Sequence, residues 1–512
     1  MNILPNTSGS EKTFTQFLFH NRRNRIFLYL ATSAIIIQFA IFKYVYPFAN
    51  YIYGDSHYYL NAAAKNLTID FYPIGYSKFL RLVNVFAKPD LALVSLQYLL
   101  LQCSALFLLF TIFYFYKAGQ VTQRILLCIV VLNPLLLHLG NMVSSDGLFL
   151  ALSMTWFALL LWIIYKPSNK IICWHAIVLF AAFTVRYNAL IYPLIAILAF
   201  WLSNLSLRKK LLGLGSGLLL LSWFVSISMV QYKKLTGYWQ FSSFSGWILA
   251  NNAMYAYRKV ENTEREPIPM KFRAIDSMVR EFNELHPDLR SYGDAAPYMW
   301  RPNFPLLQYR YSLFHNETSP TDFTTWAYMG PFYSSYGMHI IKTYPIHFLR
   351  YFVLPNSLKY LHPPVEFLGY YNTGTSTVPE SVAKWFGYTN NQVKTRIKDG
   401  RASILAPYPY LVSIINLIML LMLLSYIVMK GWQYSPSFNK CILLAGFTWV
   451  VNAIFTIFTS PAALRFQAFP ALLGVIFSLL LIDWTALLMQ HMKHESQQQK
   501  SDGEYSATPQ PH

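Results

Sequence analysis

The chain has 512 residues, 55% of them hydrophobic and only 12% charged, with a formal net charge of +19. A soluble domain carries roughly twice that charged fraction, so the composition excludes an ordinary soluble enzyme. The positive balance does not make a nucleic-acid binder, because no basic run sits in a suitable fold; it flanks apolar blocks as a topology signal and as contact with membrane lipids.

Residues 1–25 are expected to form a cytoplasmic N-terminus. Arg22, Arg23 and Arg25 precede an apolar block too long for a cleavable signal, which predicts an anchor with the N-terminus inside. Blocks of near-bilayer length, which takes about 20 residues, predict ten spans. They lie near 26–46, 91–116, 125–140, 148–165, 171–185, 188–205, 212–230, 408–429, 441–459 and 468–489. Backbone groups in lipid need internal partners, so the spans are read as helices. Lys117, Arg124, Lys166, Lys170, Arg208, Lys209, Lys210, Lys430 and Lys440 fall in the segments expected inside, whereas 141–147 has no Lys or Arg. That is the positive-inside pattern.

Two large segments are expected outside. In 47–90, Ser56–Leu67 reads as helix, Tyr72-Pro73-Ile74-Gly75 as a turn, and 77–88 as an amphipathic helix on the membrane surface. In 231–405, Pro269–Leu285 is an amphipathic helix with Phe272, Ile275, Met278, Val279 and Phe282 as its stripe. Met338–Tyr360 reads as interfacial, and Tyr371–Pro379 as surface loop. Helices resume over 406–490, and the tail 491–512, polar and Gln-rich from Lys493, is expected to be disordered. The fold class is therefore an all-α polytopic membrane protein of about ten transmembrane helices. It also has amphipathic surface helices and a mixed, mostly helical extracytoplasmic domain in 231–405, between a 26–230 module and the 406–490 helices.

Several features carry little chemistry. Cys103, Cys128, Cys173 and Cys441 lie in apolar blocks and read as small core residues. Gly213-Leu214-Gly215-Ser216-Gly217 reads as close helix packing, and His491-Met492-Lys493-His494-Glu495 lacks zincin order. Asn66-Leu67-Thr68 and Asn316-Glu317-Thr318 are glycosylation triplets. No metal or other cofactor is expected.

Four ionisable residues stand out. Asp55, in Tyr53-Gly54-Asp55-Ser56-His57-Tyr58-Tyr59, is either a helix N-cap or a proton acceptor facing an aqueous cavity. Asp146, in Ser144-Ser145-Asp146-Gly147, has the same two readings on the same side. Arg186, in Val185-Arg186-Tyr187-Asn188, and Arg465, in Leu464-Arg465-Phe466, lie near the outer ends of helices. Such cations either snorkel to lipid or bind an anion, and the guanidinium fork suits phosphate.

This order of motifs, ending with Pro470 after Leu464-Arg465-Phe466, resembles the GT-C membrane glycosyltransferases that use polyprenyl-phosphate sugars. The nearest in kind are the protein O-mannosyltransferases and the lipid A aminoarabinose transferases. The resemblance implies that Asp55 is the catalytic base and that Asp146 is the acid of the second outer loop. It implies that Arg186 and Arg465 lie near the donor phosphate, and that Tyr59, Tyr76 and Lys78 shape the cavity. It further implies an inverting transfer of one sugar from a polyprenyl-phosphate donor to a lipid, glycan or protein hydroxyl outside the cell's inner (plasma) membrane. Many relatives carry two adjacent acids in the first loop; here Ser56 follows Asp55, which weighs against a metal role there. The Trp-Trp-Asp signature of oligosaccharyltransferases is absent. A transporter or flippase, or a polysaccharide polymerase or ligase, are the competing readings.

Overall fold

The computed structural model describes residues 12–286, 297–314 and 322–505. The molecule is an all-α membrane protein: among the described residues, β structure is limited to isolated bridges. Among the described residues, eight helices are long and apolar enough to cross a membrane.

A short helix α1 (Phe14–Phe19) opens the described chain, closed by a Thr13–Gln16 capping box. It sets Phe14 edge-on to Phe107, Tyr114 and Trp162. Asn21 then caps α2 (Arg22–Val45), the first span. Two shorter helices follow, α3 (Asp55–Ala64) and α4 (Gly75–Phe86), and then the long α5 (Asp90–Phe115). The third apolar block is broken into α6 (Gln120–Val131) and α7 (Pro134–Gly140). The break follows from Asn133, whose side chain caps Leu135, and from Pro134, which starts a helix but cannot continue one.

Helix α8 (Ser145–Tyr165) is the most enclosed of the apolar helices described; its buried residues from Leu150 to Ile164 lie in the main core, with α5 against it. Helix α9 (Asn169–Val185) and the pair formed by a 3-10 turn (Tyr187–Ile191) and α10 (Tyr192–Leu202) are apolar but shorter. Helix α11 (Leu207–Thr236) is again long enough to cross.

The large segment after α11 is helical. It contains α12 (Ser243–Tyr257), α13 (Arg273–Leu285), α14 (Pro297–Trp300), α15 (Pro305–Phe314) and α16 (Asp322–Thr343). An aromatic core joins them: Trp247 stacks on Trp326 at 3.8 Å, and the Trp247 indole N–H donates to the Trp326 carbonyl. Phe71 from the first loop enters this core beside Trp326. Sequence placed the amphipathic helix at Pro269–Leu285, and it forms after Phe272 with Ile275 and Val279 buried.

Met338–Tyr360 is not one element. Helix α16 stops at Thr343, and Pro345 starts α17 (Pro345–Phe348), a π turn (Leu349–Val353) and α18 (Leu354–Leu361). Phe348, Phe352 and Val353 pack inward with Tyr255, while Ile346, Leu349, Leu354 and Leu358 are exposed. Such an apolar exposed row suits a membrane interface. After α19 (Glu380–Phe386) come three more spans, α20 (Tyr408–Val428), α21 (Pro436–Thr459) and α22 (Leu464–Tyr505).

Three expectations need correction. Only Cys441 is buried; Cys103, Cys128 and Cys173 face outward from the bundle. On a lipid-facing span the outer surface is as apolar as the core, so an apolar block does not say which way a cysteine points. The tail is not disordered at Lys493: α22 continues to Tyr505, because Gln, Lys, Glu and Met are good helix formers and extend a helix already nucleated. Tyr371–Pro379 is no free surface loop, as the site shows. The triplet at Asn316 lies outside the described residues.

Candidate active site

The loop after α2 pairs with the loop before α8. The Asn50 N–H donates to the Asn141 carbonyl at 2.7 Å, and the Val143 N–H donates to the Asn50 carbonyl at 2.9 Å. This short parallel bridge brings the starts of α3 and α8 side by side. The buried Ser56 hydroxyl locks the pairing, donating to the Val143 carbonyl at 2.7 Å and accepting from the Ile52 N–H. Ser56 is thus committed to holding the loop.

Gly54, at φ 92°, turns the chain into α3; that conformation favours glycine. Asp55 is the first residue of α3 and makes no capping bond, so the N-cap reading fails for it. Its carboxylate faces inward instead. One oxygen accepts from the Tyr72 hydroxyl at 2.7 Å, and the other from Arg465 at 2.9 Å. Asp146 is not the cap of α8 either; Ser144 is, accepting from the Asp146 N–H. The Asp146 side chain is almost fully enclosed and is ion-paired to Arg186. Its second oxygen accepts from the Ser144 hydroxyl at 2.8 Å and from Arg465 at 3.3 Å.

Arg465, at the start of α22, therefore bridges both carboxylates with one nitrogen, Nη1. Its guanidinium lies 4.5 Å from the Phe466 ring centre, and that of Arg186 lies 4.6 Å from the same ring. Aromatic faces stabilise cations in a partly dry site and hold their planes. The four residues singled out in the sequence converge from four separate elements.

Asp55, Arg186 and Arg465 line a cavity of about 630 Å³, walled by Tyr58, Tyr59, Tyr72, Phe244, Trp300 and Phe367 among others, with Asp146 buried behind the two guanidinium groups. Tyr59 is fully buried, bonds the Ser145 hydroxyl at 2.9 Å and packs against both Tyr72 and Tyr76. Burial, then the charge of Asp55, holds the Tyr72 phenol well above its ordinary range, so it stays a donor. Tyr76 lies behind the wall: its hydroxyl donates to Gln97, which in turn donates to the Gly140 and Met142 carbonyls. Lys78 is not brought to the cavity; its ammonium binds the Asn66 side chain at 2.7 Å and its carbonyl at 3.3 Å. A Lys three residues beyond Gly75 lies on the opposite flank of α4 from the site-facing Tyr76.

Glu366 is the residue that sequence reading missed. It sits in a 3-10 turn (Glu366–Leu368) with φ 49°, lines the cavity, and leaves Oε2 without a hydrogen-bond partner among the described residues. Burial pushes its carboxyl above the ordinary 4.5, opposed by Arg465. The Nε of Arg465 is also buried and unpartnered. No local pattern marks Glu366; the following Phe367, beneath the Arg465 guanidinium, is its link to the site.

The segment expected to be surface loop holds the first loop in place. The Tyr371 hydroxyl donates to the Phe48 and Ala49 carbonyls, the Asn372 N–H to the Asn50 side chain at 2.6 Å, and the Thr373 hydroxyl to the Tyr51 carbonyl. Asn372 and Thr373 take left-handed φ of 48° and 54°. Such conformations persist where surrounding contacts fix them.

Among the described residues, no group of three or more His, Cys, Asp or Glu has the geometry to hold a metal. The arrangement offers a mostly buried carboxylate that still lines the cavity for proton transfer and two guanidinium groups for an oxyanion, in a cavity with aromatic walls. Compared with protein-family models, curated proteins and solved structures, the chain matches none.

Proposed function

We propose that this protein is a membrane glycosyltransferase that moves one sugar from a polyprenyl-phosphate donor to an acceptor hydroxyl, with inversion. In this reading ten helices cross the membrane, both termini face the cytoplasm, and the cavity opens on the extracytoplasmic side. The observation that carries it is the joint hold of Arg465 on Asp55 and Asp146 at the cavity floor. A carboxylate and a buried guanidinium in contact are the two groups that sugar transfer from a phosphate needs.

Asp55 takes the proton of the acceptor hydroxyl. The acceptor oxygen forms a bond to the anomeric carbon as the bond from that carbon to the phosphate oxygen breaks. The lipid phosphate leaves with the electron pair. Its charge grows in the transition state, and Arg465 and Arg186 are the cations that stabilise it. Before transfer, Asp55 must exchange its Arg465 contact for the acceptor hydroxyl; the donor phosphate offers Arg465 an alternative anion. The Tyr72 hydroxyl fixes the carboxylate plane during that exchange.

The test is a membrane assay with labelled polyprenyl-phosphate sugars, comparing wild type with Asp55→Asn. Wild type moves label to an acceptor; Asp55→Asn loses transfer by at least ~10³-fold while binding donor nearly as well. Full transfer by that variant, or label accumulating in vesicles without a new covalent product, refutes the assignment. The second of these outcomes favours a transporter.

A further inference from the structure

At the end of the bundle away from the first cavity, α9 and α11 line a second cavity of about 780 Å³. Its walls are apolar, with Ile172, Ile177, Leu212 and Leu219 among them, and Leu212 and Leu219 are exposed on the outer face. Gly213 sets the depth. A Cβ there would lie 2.5 Å from the Phe200 ring and 2.9 Å from Ile172, so the α11 backbone seats directly on its neighbours. Ser216 turns its hydroxyl back onto the Gly213 carbonyl at 2.9 Å, which leaves the wall without a free donor.

The mouth of this groove differs in chemistry. Arg208 and Lys209 line it together with Asn169 and Ser206. Neither cation is ion-paired among the described residues. No acidic residue occurs anywhere between Asp146 and Glu261, so no nearby carboxylate of this stretch competes for them. Lys170 and Lys210 flank the same end, although Lys210 is engaged with the Trp201 carbonyl. A cationic mouth above an apolar slot, on helices long or apolar enough to contact lipid, has the chemistry of an amphiphile site.

We propose that this groove binds one anionic phospholipid of the surrounding bilayer, its phosphate on Arg208 and Lys209 and an acyl chain along α9 and α11. A free phosphate would use the cations but leave the apolar slot empty. A zwitterionic lipid would fill the slot without matching the charge. The site is separate from the catalytic cavity, and the inference does not depend on the glycosyltransferase reading.

Cys173 lines the groove and is exposed, which provides a reporter. The protein is placed in nanodiscs of phosphatidylcholine alone or with increasing phosphatidylglycerol, and maleimide labelling of Cys173 is followed by mass spectrometry. The exposed Cys103 on α5 serves as control. Phosphatidylglycerol is expected to slow labelling of Cys173 but not of Cys103. In the double variant Arg208→Gln/Lys209→Gln, the fraction needed for half protection rises about thirtyfold, as expected for two cations at an anionic surface. Inorganic phosphate added to phosphatidylcholine discs is expected to give no protection. Equal labelling in both lipids, undiminished protection in the double variant, or protection by phosphate alone would each overturn the proposal. The wild-type lipid comparison stands even if the variant does not fold.

Discussion

Arg465 contacts two carboxylates at once through Nη1, while its Nε is buried without a hydrogen-bond partner among the described residues. Glu366, with its own unpartnered oxygen, is the third acid within its field. An ionised Glu366 repels an incoming phosphate, and a protonated one does not. Because burial raises its carboxyl above 4.5, the KM for donor is expected to climb as the pH rises through that transition. Glu366→Gln, which stays neutral, flattens this part of the profile without loss of kcat; an unchanged pH profile in the variant removes Glu366 from donor binding. Asp70 titrates with a consequence for stability. Burial lifts its carboxyl from 3.8 to about 6, outweighing the Phe71 N–H bond and the charge of Lys65. A raised acid favours the folded state fully below pH 3.8, and that contribution is lost as the pH passes 6. The cost above that pH is roughly 3 kcal/mol. Asp70→Asn should therefore raise Tm at pH 7.5 and leave it unchanged near pH 4, as read by thermal unfolding in detergent.

At the scale of elements, the ten apolar blocks predicted from the sequence are all helical, the third divided between α6 and α7 and the sixth between a 3-10 turn and α10. Long apolar runs are the strongest pattern a sequence carries, and α4 was legible through its alternating flanks. What stayed hidden depends on tertiary contact. Nothing near Tyr371 or Asn372 signals that they bind the first loop, because their partners lie more than 300 residues away, as the 322-residue separation of Asn372 and Asn50 shows. Pro134 and Pro345 were visible as residues, but whether a proline kinks or starts a helix is decided by what caps it. Helix α4 adds a point that only packing shows. A Cβ on Gly75 would lie 2.6 Å from the Thr184 carbonyl carbon and oxygen, which are backbone atoms near the end of α9. Gly75→Ala must push α4 away and shift Tyr72 and Tyr76 with it. The expected cost is about 1–3 kcal/mol of stability and a ~10–100-fold fall in transfer, measured by unfolding and by the membrane assay on equal amounts of protein.

For the whole molecule, the direction of α9 is the informative feature. Its C-terminal Arg186 meets Asp146 at the N-terminus of α8, so the two helices run antiparallel over a common length. At 1.5 Å per residue, the 17 residues of α9 reach about 25 Å. That is short of the usual hydrocarbon thickness of ~30 Å, and α9 stands among the shorter apolar helices. Ten crossings predict that, in a background without native cysteines, Asn188→Cys and His57→Cys are labelled by a membrane-impermeant thiol reagent from one side. Lys170→Cys and Lys209→Cys are then labelled only from the other. Labelling of Asn188→Cys and Lys170→Cys from the same side contradicts the ten-span layout. The bridge between Asp55 and Arg465 has a temporal meaning as well. The two residues are 410 positions apart, and at ribosomal rates of ~5–20 residues per second the second emerges about 20–80 s after the first. Throughout that interval the nascent protein has its acids but lacks the cation that pairs with both, so on the proposed function a product interrupted before α22 is expected to transfer no sugar. On that reading, completion of translation and insertion of the final helices is the activating event.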